Sequence, residues 1–194
     1  NHMTCVDLLQ AHPDVDPDKI GTIGHSLGGH NAMFLAAFDE RIKIAVSSCG
    51  WTPFEFYETT PGRLKTWALP TYMPPLETLY KSDHRQFPFD FHEVAAAIAP
   101  RVFFSSSPTS DGVFPGWGPK TAAPSIKAFF NARGAEQAFQ FHQPLAGHRF
   151  PWEVRQAAYR SMNDTFDYHF HGDLGLLTER EGAEAIPVLK QALV

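Results

Sequence analysis

The clearest candidate for chemistry in this sequence is Ser26, within the stretch GHSLG at residues 24–28. A β-branched run precedes this stretch and an apolar run with helical spacing follows it, so Ser26 falls at a predicted strand-to-helix turn. Gly24 and Gly28 are expected to give the turn room, and the following helix directs backbone N–H groups at the serine. The pattern predicts that Ser26 is a nucleophile and that the N–H of Leu27 donates to an oxyanion. The alternative is an ordinary glycine-rich turn whose serine only caps the helix.

A nucleophilic serine needs a histidine that takes its proton and a carboxylate that orients the histidine. In folds with such a turn, the acid and then the histidine follow the serine along the chain. Asp111 lies in the loop after the predicted strand RVFFSSS, and Glu55, just past the preceding strand, is the second candidate for the acid. Of ten histidines, His148 lies between the last predicted strand and the last predicted helix. We therefore expect Ser26, Asp111 and His148 to form a catalytic set; a turn aspartate and a surface histidine are the alternatives.

The elements that would position these residues alternate between strand and helix. Runs rich in isoleucine, valine and phenylalanine predict strands, and runs with helical spacing predict helices. This alternation is typical of an α/β protein with a mostly parallel sheet, in which the carboxyl ends of the strands share one edge. The predicted strands are 19–25, 41–50, 101–107 and 136–145, and the predicted helices are 3–12, 27–40, 91–100, 120–135 and 151–170.

Residues 51–92 interrupt the alternation with many prolines and aromatic residues. These aromatic side chains are interpreted as the wall of a substrate pocket, with Trp51 among them. Trp117, in the loop after the third strand, is a second candidate for substrate binding. The alternative is that these aromatic side chains simply pack an irregular segment onto the core.

The composition is that of one globular domain: 194 residues, 43% hydrophobic and 19% charged. A net charge of −5 argues against nucleic acid or an anionic membrane as a partner, and the sequence has no apolar run of membrane-spanning length. The two cysteines, Cys5 and Cys49, are expected to be free and mostly buried. They form no metal-binding motif, so the sequence predicts neither a metal nor another cofactor. It leaves homo-oligomerisation and cellular location open.

Three motifs together resemble one known superfamily. GHSLGG, then the turn DGVFP after PRVFF, then GHRFPWEVRQAAY are similar to the corresponding parts of α/β-hydrolases. Within that superfamily the sequence is most similar to bacterial acetylxylan esterase-like and dienelactone hydrolase-like members. The resemblance implies that residues 1–171 are the C-terminal part of such a domain, with 51–92 as a lid or cap insertion after the second strand. Residues 172–194 are expected, from their own sequence pattern, to be a partly helical tail. Ser26 stands where a dienelactone hydrolase has a cysteine, which argues against that activity.

The resemblance implies a serine esterase that cleaves carboxylic esters through an acyl-enzyme, without metal or cofactor. Acetyl or other short acyl esters, free or on carbohydrate, are the substrates it implies. It also implies strands preceding residue 1 and a second oxyanion donor among them, so we expect this chain alone to be weakly active, unstable or dimerised. Two alternatives stay open: a peptidase of the prolyl oligopeptidase type, and a catalytically inactive hydrolase-fold domain used for binding.

Overall fold

A single parallel sheet organises the molecule, as the sequence predicts. The computed structural model describes residues 2–58, 62–70 and 72–168, so the predicted tail at 172–194 lies outside the described residues. The strands run in sequence order across the sheet, and every neighbouring pair is parallel. Parallel pairing places their carboxyl ends at one edge. The strands are β1 (Ile20–His25), β2 (Ile42–Ser48), β3 (Val102–Ser106) and β4 (Phe139–His142).

Helices connect the strands and cover both faces of the sheet. Several elements depart from the predicted bounds. The helix α5 (Phe91–Ala96) ends before residue 100, α6 (Trp117–Ala132) lies earlier than 120–135, and α7 (Trp152–Phe166) ends before residue 170. β4 is shorter than the predicted 136–145 because Glu136–Ala138 form a 3₁₀ turn. Pro119 fits in the first turn of α6 because a proline lacks only an N–H that would have no partner there. The longer helices are α1 (His2–Ala11), α2 (Leu27–Phe38), α5 (Phe91–Ala96), α6 (Trp117–Ala132) and α7 (Trp152–Phe166); the short ones are α3 (Phe54–Tyr57) and α4 (Pro75–Thr78), with 3₁₀ turns at Arg63–Thr66, His84–Gln86 and Glu136–Ala138.

Apolar side chains fill a layer on each side of the sheet. Successive residues of a strand point to opposite faces, so Ala45 packs with the larger cluster under α2, α5 and α6, whereas Ile44 and Val46 pack under α7. A strand buried on both faces needs apolar residues at most positions, which explains the apolar run at 44–46 in β2. None of the helices in the described ranges has the length and apolarity that a bilayer crossing requires.

The segment between β2 and α5 contributes to the larger cluster. It contains short helical turns rather than long elements, and most of its large apolar side chains point inward, although Leu69 and Leu79 are exposed. This packing agrees with the core alternative for residues 51–92, and the predicted lid or cap role stays a prediction. The buried side chains of the segment are Trp51, Phe54, Tyr57, Leu64, Trp67 and Leu76.

Candidate active site

Ser26 lies at the sharp turn between β1 and α2 with φ 56° and ψ −123°. A positive φ is rare for a residue with a side chain, and holding one costs about 1–3 kcal/mol. Two backbone hydrogen bonds maintain it: the N–H of Ser26 donates to the carbonyl of Ser48 at 2.8 Å, and the N–H of His30 donates to the carbonyl of Ser26 at 3.0 Å. Surrounding structure therefore fixes the serine in a strained position at the carboxyl edge.

The tight glycine positions of this turn differ from those expected. A Cβ at Gly24 would lie 2.1 Å from the carbonyl oxygen of Gly28, and one at Gly29 would lie 2.8 Å from that of Ser48. A Cβ at Gly28 would meet nothing within 4 Å. The close packing of strand against helix thus requires glycine at 24 and 29, and the expectation that Gly28 itself avoids a collision is wrong.

The structure brings the three predicted residues together in a chain of hydrogen bonds. Ser26 Oγ lies 2.9 Å from His148 Nε2. His148 Nδ1 lies 3.0 Å from both Asp111 Oδ1 and Asp111 Oδ2. An ionised carboxylate only accepts hydrogen bonds, so the imidazole proton belongs on Nδ1. Nε2 then carries the lone pair that can accept the proton of Ser26.

Asp111 is held rigidly behind the histidine. Its side chain is 0% exposed, compared with 25% for His148. The N–H groups of Val113 and Phe114 donate to Asp111 Oδ1 at 2.7 and 2.9 Å, which fixes the orientation of the carboxylate. Glu55, the second candidate, is exposed on α3. Asp111 is thus the carboxylate that contacts His148.

Backbone pairing continues beyond β3 and β4 and joins the loops that carry Asp111 and His148. The N–H groups of Ser107, Thr109 and Ser110 donate across to the second loop at 2.9, 3.0 and 3.0 Å. The two loops therefore continue the backbone pairing of the sheet. Main-chain hydrogen bonds set the distance between Asp111 and His148. The accepting carbonyls are those of His142, Pro144 and Ala146.

His25 lies against the same imidazole. Its ring centroid is 5.0 Å from that of His148, and its Nδ1 lies 3.1 Å from Ser48 Oγ. Burial, followed by the charge of His148, lowers the pKa of His25. His25 was not among the site residues that the sequence predicted. Its position immediately before Ser26 was the only signal for this contact.

Leu27 opens α2, so its N–H is in the first turn, where backbone N–H groups have no partner within the helix. This placement agrees with the predicted oxyanion donor, which stays a prediction. A cavity of ≈ 360 Å³ opens beside it. Apolar and polar side chains both line the cavity: Leu27, His30, Asn31, Phe34, Tyr72 and Met73.

The two tryptophans predicted to bind substrate have different surroundings. Trp51 is 1% exposed, and its indole N–H donates to Ser105 Oγ at 3.1 Å within the core. This burial argues against a substrate contact, because the ring has no open surface. Trp117 is 52% exposed at the start of α6. Its ring packs edge-on against that of Phe56, with the ring centroids 4.4 Å apart. It remains a candidate.

The cysteines also differ from each other. Cys5 is exposed, which corrects the expectation that both thiols are mostly buried, whereas Cys49 is buried. Cys5 lies on an outward face of α1. Cys49 follows β2 directly with φ 50°, and burial followed by the charge of Asp111 raises the pKa of its thiol to about 12. Cys49 is therefore a neutral thiol beside the carboxylate.

Comparison with known proteins identifies the family. A family model described as "Glucuronyl esterase, fungi" matches residues 2–132, which is more than half of the chain. The chain belongs to the glucuronyl esterase family. This is a closer family than the acetylxylan esterase-like group indicated by the sequence motifs, and both groups share the α/β-hydrolase fold that the sequence predicts.

Individual relatives span more than this chain does. It is 30% identical over 160 residues to the putative hydrolase YtaP of Bacillus subtilis (strain 168), covering 82% of this chain and 50% of YtaP. It is 31% identical over 113 residues to the 4-O-methyl-glucuronoyl methylesterase of Hypocrea jecorina (strain QM6a), covering 51% of this chain and 24% of that protein. The chain thus spans at most half the length of these curated relatives.

Solved structures confirm the fold. A carbohydrate esterase family 15 glucuronoyl esterase from Caldicellulosiruptor kristjansonii superposes with a TM-score of 0.70 at 20% identity, over 85% of this chain and 48% of that one. A promiscuous esterase of the same family from a marine bacterial metagenome superposes with a TM-score of 0.71 at 21% identity. The match covers 85% of this chain and 46% of that one. The described residues therefore form part of an α/β-hydrolase fold.

Proposed function

We propose that Ser26, His148 and Asp111 are the catalytic triad of a carboxylic-ester hydrolase. The observation that carries the proposal is the unbroken chain of hydrogen bonds, 2.9 Å from Ser26 Oγ to His148 Nε2 and 3.0 Å from His148 Nδ1 to Asp111. The strained backbone of Ser26 supports it, because such strain concentrates at functional positions. Membership of an esterase family supports an ester rather than a peptide as substrate.

In the acylation step, Ser26 Oγ attacks the ester carbonyl while His148 Nε2 takes the hydroxyl proton. Asp111 accepts the Nδ1–H bond and stabilises the imidazolium that forms. Collapse of the tetrahedral intermediate expels the alcohol, which takes the proton from Nε2. Water then attacks the acyl-enzyme with the same histidine as base, which releases the acid and restores Ser26.

The negative charge on the tetrahedral oxygen is stabilised by the start of α2. The N–H of Leu27 donates to this oxygen, and the positive end of the helix dipole adds to the stabilisation. One such donor contributes about 10²–10³ in rate. We assign the cavity beside Leu27 to a group attached to the reacting carbonyl, because Leu27 lines this cavity.

The proposed substrates are esters of a sugar acid, in which the carbohydrate carries the acyl group. The fungal relative is named as a 4-O-methyl-glucuronoyl methylesterase, which supports a uronate ester in this role. Acetylated sugars, which the motifs favoured, place the carbohydrate on the alcohol side instead and are the second candidate. Trp117 is proposed to contact whichever sugar is bound, since its ring is half exposed at the same edge.

The test is ester hydrolysis by the chain and by its Ser26→Ala variant, with folding checked by circular dichroism. Methanol released from methyl glucuronate, acetate released from an acetylated xyloside, and cleavage of a chromogenic prolyl peptide distinguish the substrate classes. We expect the methyl uronate to be cleaved fastest and the variant to cleave none of them. A folded chain that cleaves no ester, or a Ser26→Ala variant as active as its parent, would contradict the proposal.

A further inference from the structure

Three side chains beside Ser26 could bind something other than substrate. Cys49, Asp111 and His148 each present one atom that can ligate a metal, and these atoms all lie within 4.8 Å of one another. A thiolate, an imidazole and a carboxylate are the ligand types that Zn²⁺ takes in proteins. Cys49 follows β2, Asp111 lies in the loop after β3, and His148 lies in the loop after β4. The fold brings them together, and their spacing in the sequence does not indicate a metal site.

We infer that Cys49 Sγ, Asp111 Oδ2 and His148 Nδ1 form a site for a divalent transition-metal ion such as Zn²⁺, and that an ion bound there inactivates Ser26. This inference goes beyond the proposed function, because an esterase triad needs no metal. The binding of the ion involves only Cys49, Asp111 and His148. The loss of Ser26 reactivity is the part that rests on the proposed function.

Asp111 has an oxygen available for an ion. Oδ1 already accepts hydrogen bonds from Val113 N–H and Phe114 N–H, whereas Oδ2 lies 3.0 Å from His148 Nδ1. The Cys49 thiol also contacts the Asp111 carboxylate, and its Sγ lies 3.5 Å from the carbonyl oxygen of Arg149. An ion would replace the hydrogen bond between His148 and Oδ2, and the partly exposed histidine provides the route from solvent.

Charge and proton balance favour such an ion. The trio carries one negative charge, on Asp111, when the thiol and the imidazole are both neutral. Binding of M²⁺ releases one proton from Cys49 to solvent and shifts the imidazole proton from Nδ1 to Nε2. The resulting group of M²⁺, thiolate, carboxylate and neutral imidazole has no net charge, which lowers the cost of burial.

The proton shift also explains why the ion would inactivate the site. With the metal on Nδ1, Nε2 carries a hydrogen and has no lone pair for the proton of Ser26. The carboxylate binds the ion instead of orienting the ring. Metal binding and acylation of Ser26 are therefore mutually exclusive.

The experiment uses the Cys5→Ser chain, so that Cys49 is its only thiol. Cd²⁺ is added while the ultraviolet thiolate-to-cadmium absorption band is recorded, and Zn²⁺ is added while the rate of fluorophosphonate labelling at Ser26 is measured by intact mass. We expect one band per chain and slower labelling. Asp111→Asn should weaken Cd²⁺ binding by about tenfold or more, because even loss of a group that only orients a ligand weakens metal binding by about 10–100-fold.

Cys49→Ala and Cys49→Ser, each in the Cys5→Ser background, are the matched variants, and the serine form preserves the size of the side chain. We expect both to lack the band and to be labelled at the same rate with and without Zn²⁺. Absence of the band in the parent, or equal slowing in the Cys49 variants, would overturn the inference. Absence of labelling in metal-free parent would contradict the proposed function instead, while the cadmium band would still decide the site.

Discussion

Two regions of this molecule use their residues in different ways. The carboxyl edge, meaning the turn after β1 and the loops after β3 and β4, positions Ser26, Asp111 and His148 through main-chain hydrogen bonds. The aromatic segment, meaning residues 51–58, 62–70 and 72–91, has short helical turns and is held by its side chains. The ring centroids of Phe54 and Phe91 lie 4.2 Å apart, and those of Trp67 and Phe91 lie 5.4 Å apart.

The difference separates chemistry from stability. At the carboxyl edge, each of the three side chains contributes through one or two atoms, and the backbone holds those atoms at the required distances. In the aromatic segment many ring contacts share the energy, and no single backbone geometry is required. Substitutions of the three side chains that act at the edge should therefore change reactivity without unfolding the chain, and substitutions of buried rings should do the opposite.

The largest effect is expected at Ser26. Ser26→Ala removes the nucleophile and should lower kcat for a good ester substrate by about 10⁶-fold, as loss of a catalytic serine does. Thermal unfolding should be almost unchanged, because the hydroxyl does not pack in the core. Ser125→Ala on the exposed side of α6 is the control and should be fully active. An equal loss in both variants would refute the separation.

Asp111→Asn should lower kcat by about 10⁴-fold. The amide can donate to His148 Nδ1 and so favours the wrong tautomer, in which Nε2 carries the proton. Asp83→Asn is the matched control, because Asp83 also accepts hydrogen bonds from a basic side chain, Arg85, at the start of the 3₁₀ turn His84–Gln86. A pH–rate profile measured on both variants checks the mechanism, and wild-type activity in Asp111→Asn would mean that another acid serves His148.

The aromatic segment should respond through stability. Phe91→Ala removes a ring that is 0% exposed, and deletion of a buried phenylalanine costs about 3–5 kcal/mol. Phe38→Ala, whose ring lies largely in solvent, should cost less than about 1 kcal/mol. Urea unfolding measures both. If the two variants lose the same free energy of unfolding, ring packing is not what holds the segment.

The turn after β1 offers an almost matched pair. Gly24→Ala places a Cβ against the backbone of Gly28 and should cost about 3 kcal/mol. Gly28→Ala meets no neighbour within 4 Å and replaces a helical glycine, so it should raise stability by about 0.5–1 kcal/mol. Chemical denaturation of the two variants checks this difference, and equal stability would show that the close approach is relaxed at no cost.

The smallest effect concerns pH. Burial lowers the pKa of His30 to about 4 from its ordinary 6.5, and its Nδ1 lies 3.1 Å from the carbonyl oxygen of Gly50. The unfolded chain takes up this proton first as the pH falls. Stability is therefore complete above pH 6.5 and decreases towards pH 4, by about 2 kcal/mol between pH 7 and pH 5. His30→Gln, unfolded in urea at both pH values, should lose this part of the dependence.

The sequence predicted the parallel sheet and the meeting of Ser26, Asp111 and His148, because strand-helix alternation determines which loops share an edge. It could not predict the burial of Trp51, since an aromatic residue after a strand fits a pocket wall and a core equally well. Nor could it place Cys49 beside Asp111. Cys49 is itself the residue with a positive φ directly after β2, and Asp111 lies in a loop far away in the sequence. Only the folded chain brings the two side chains together.

Labelling of the chain with a fluorophosphonate, followed by intact mass, tests the central claim most directly. The account predicts one adduct on the wild-type chain, located on Ser26 by peptide mapping, and none on Ser26→Ala or His148→Gln. An adduct that persists in Ser26→Ala, or no adduct on a chain shown to be folded by circular dichroism, would contradict it.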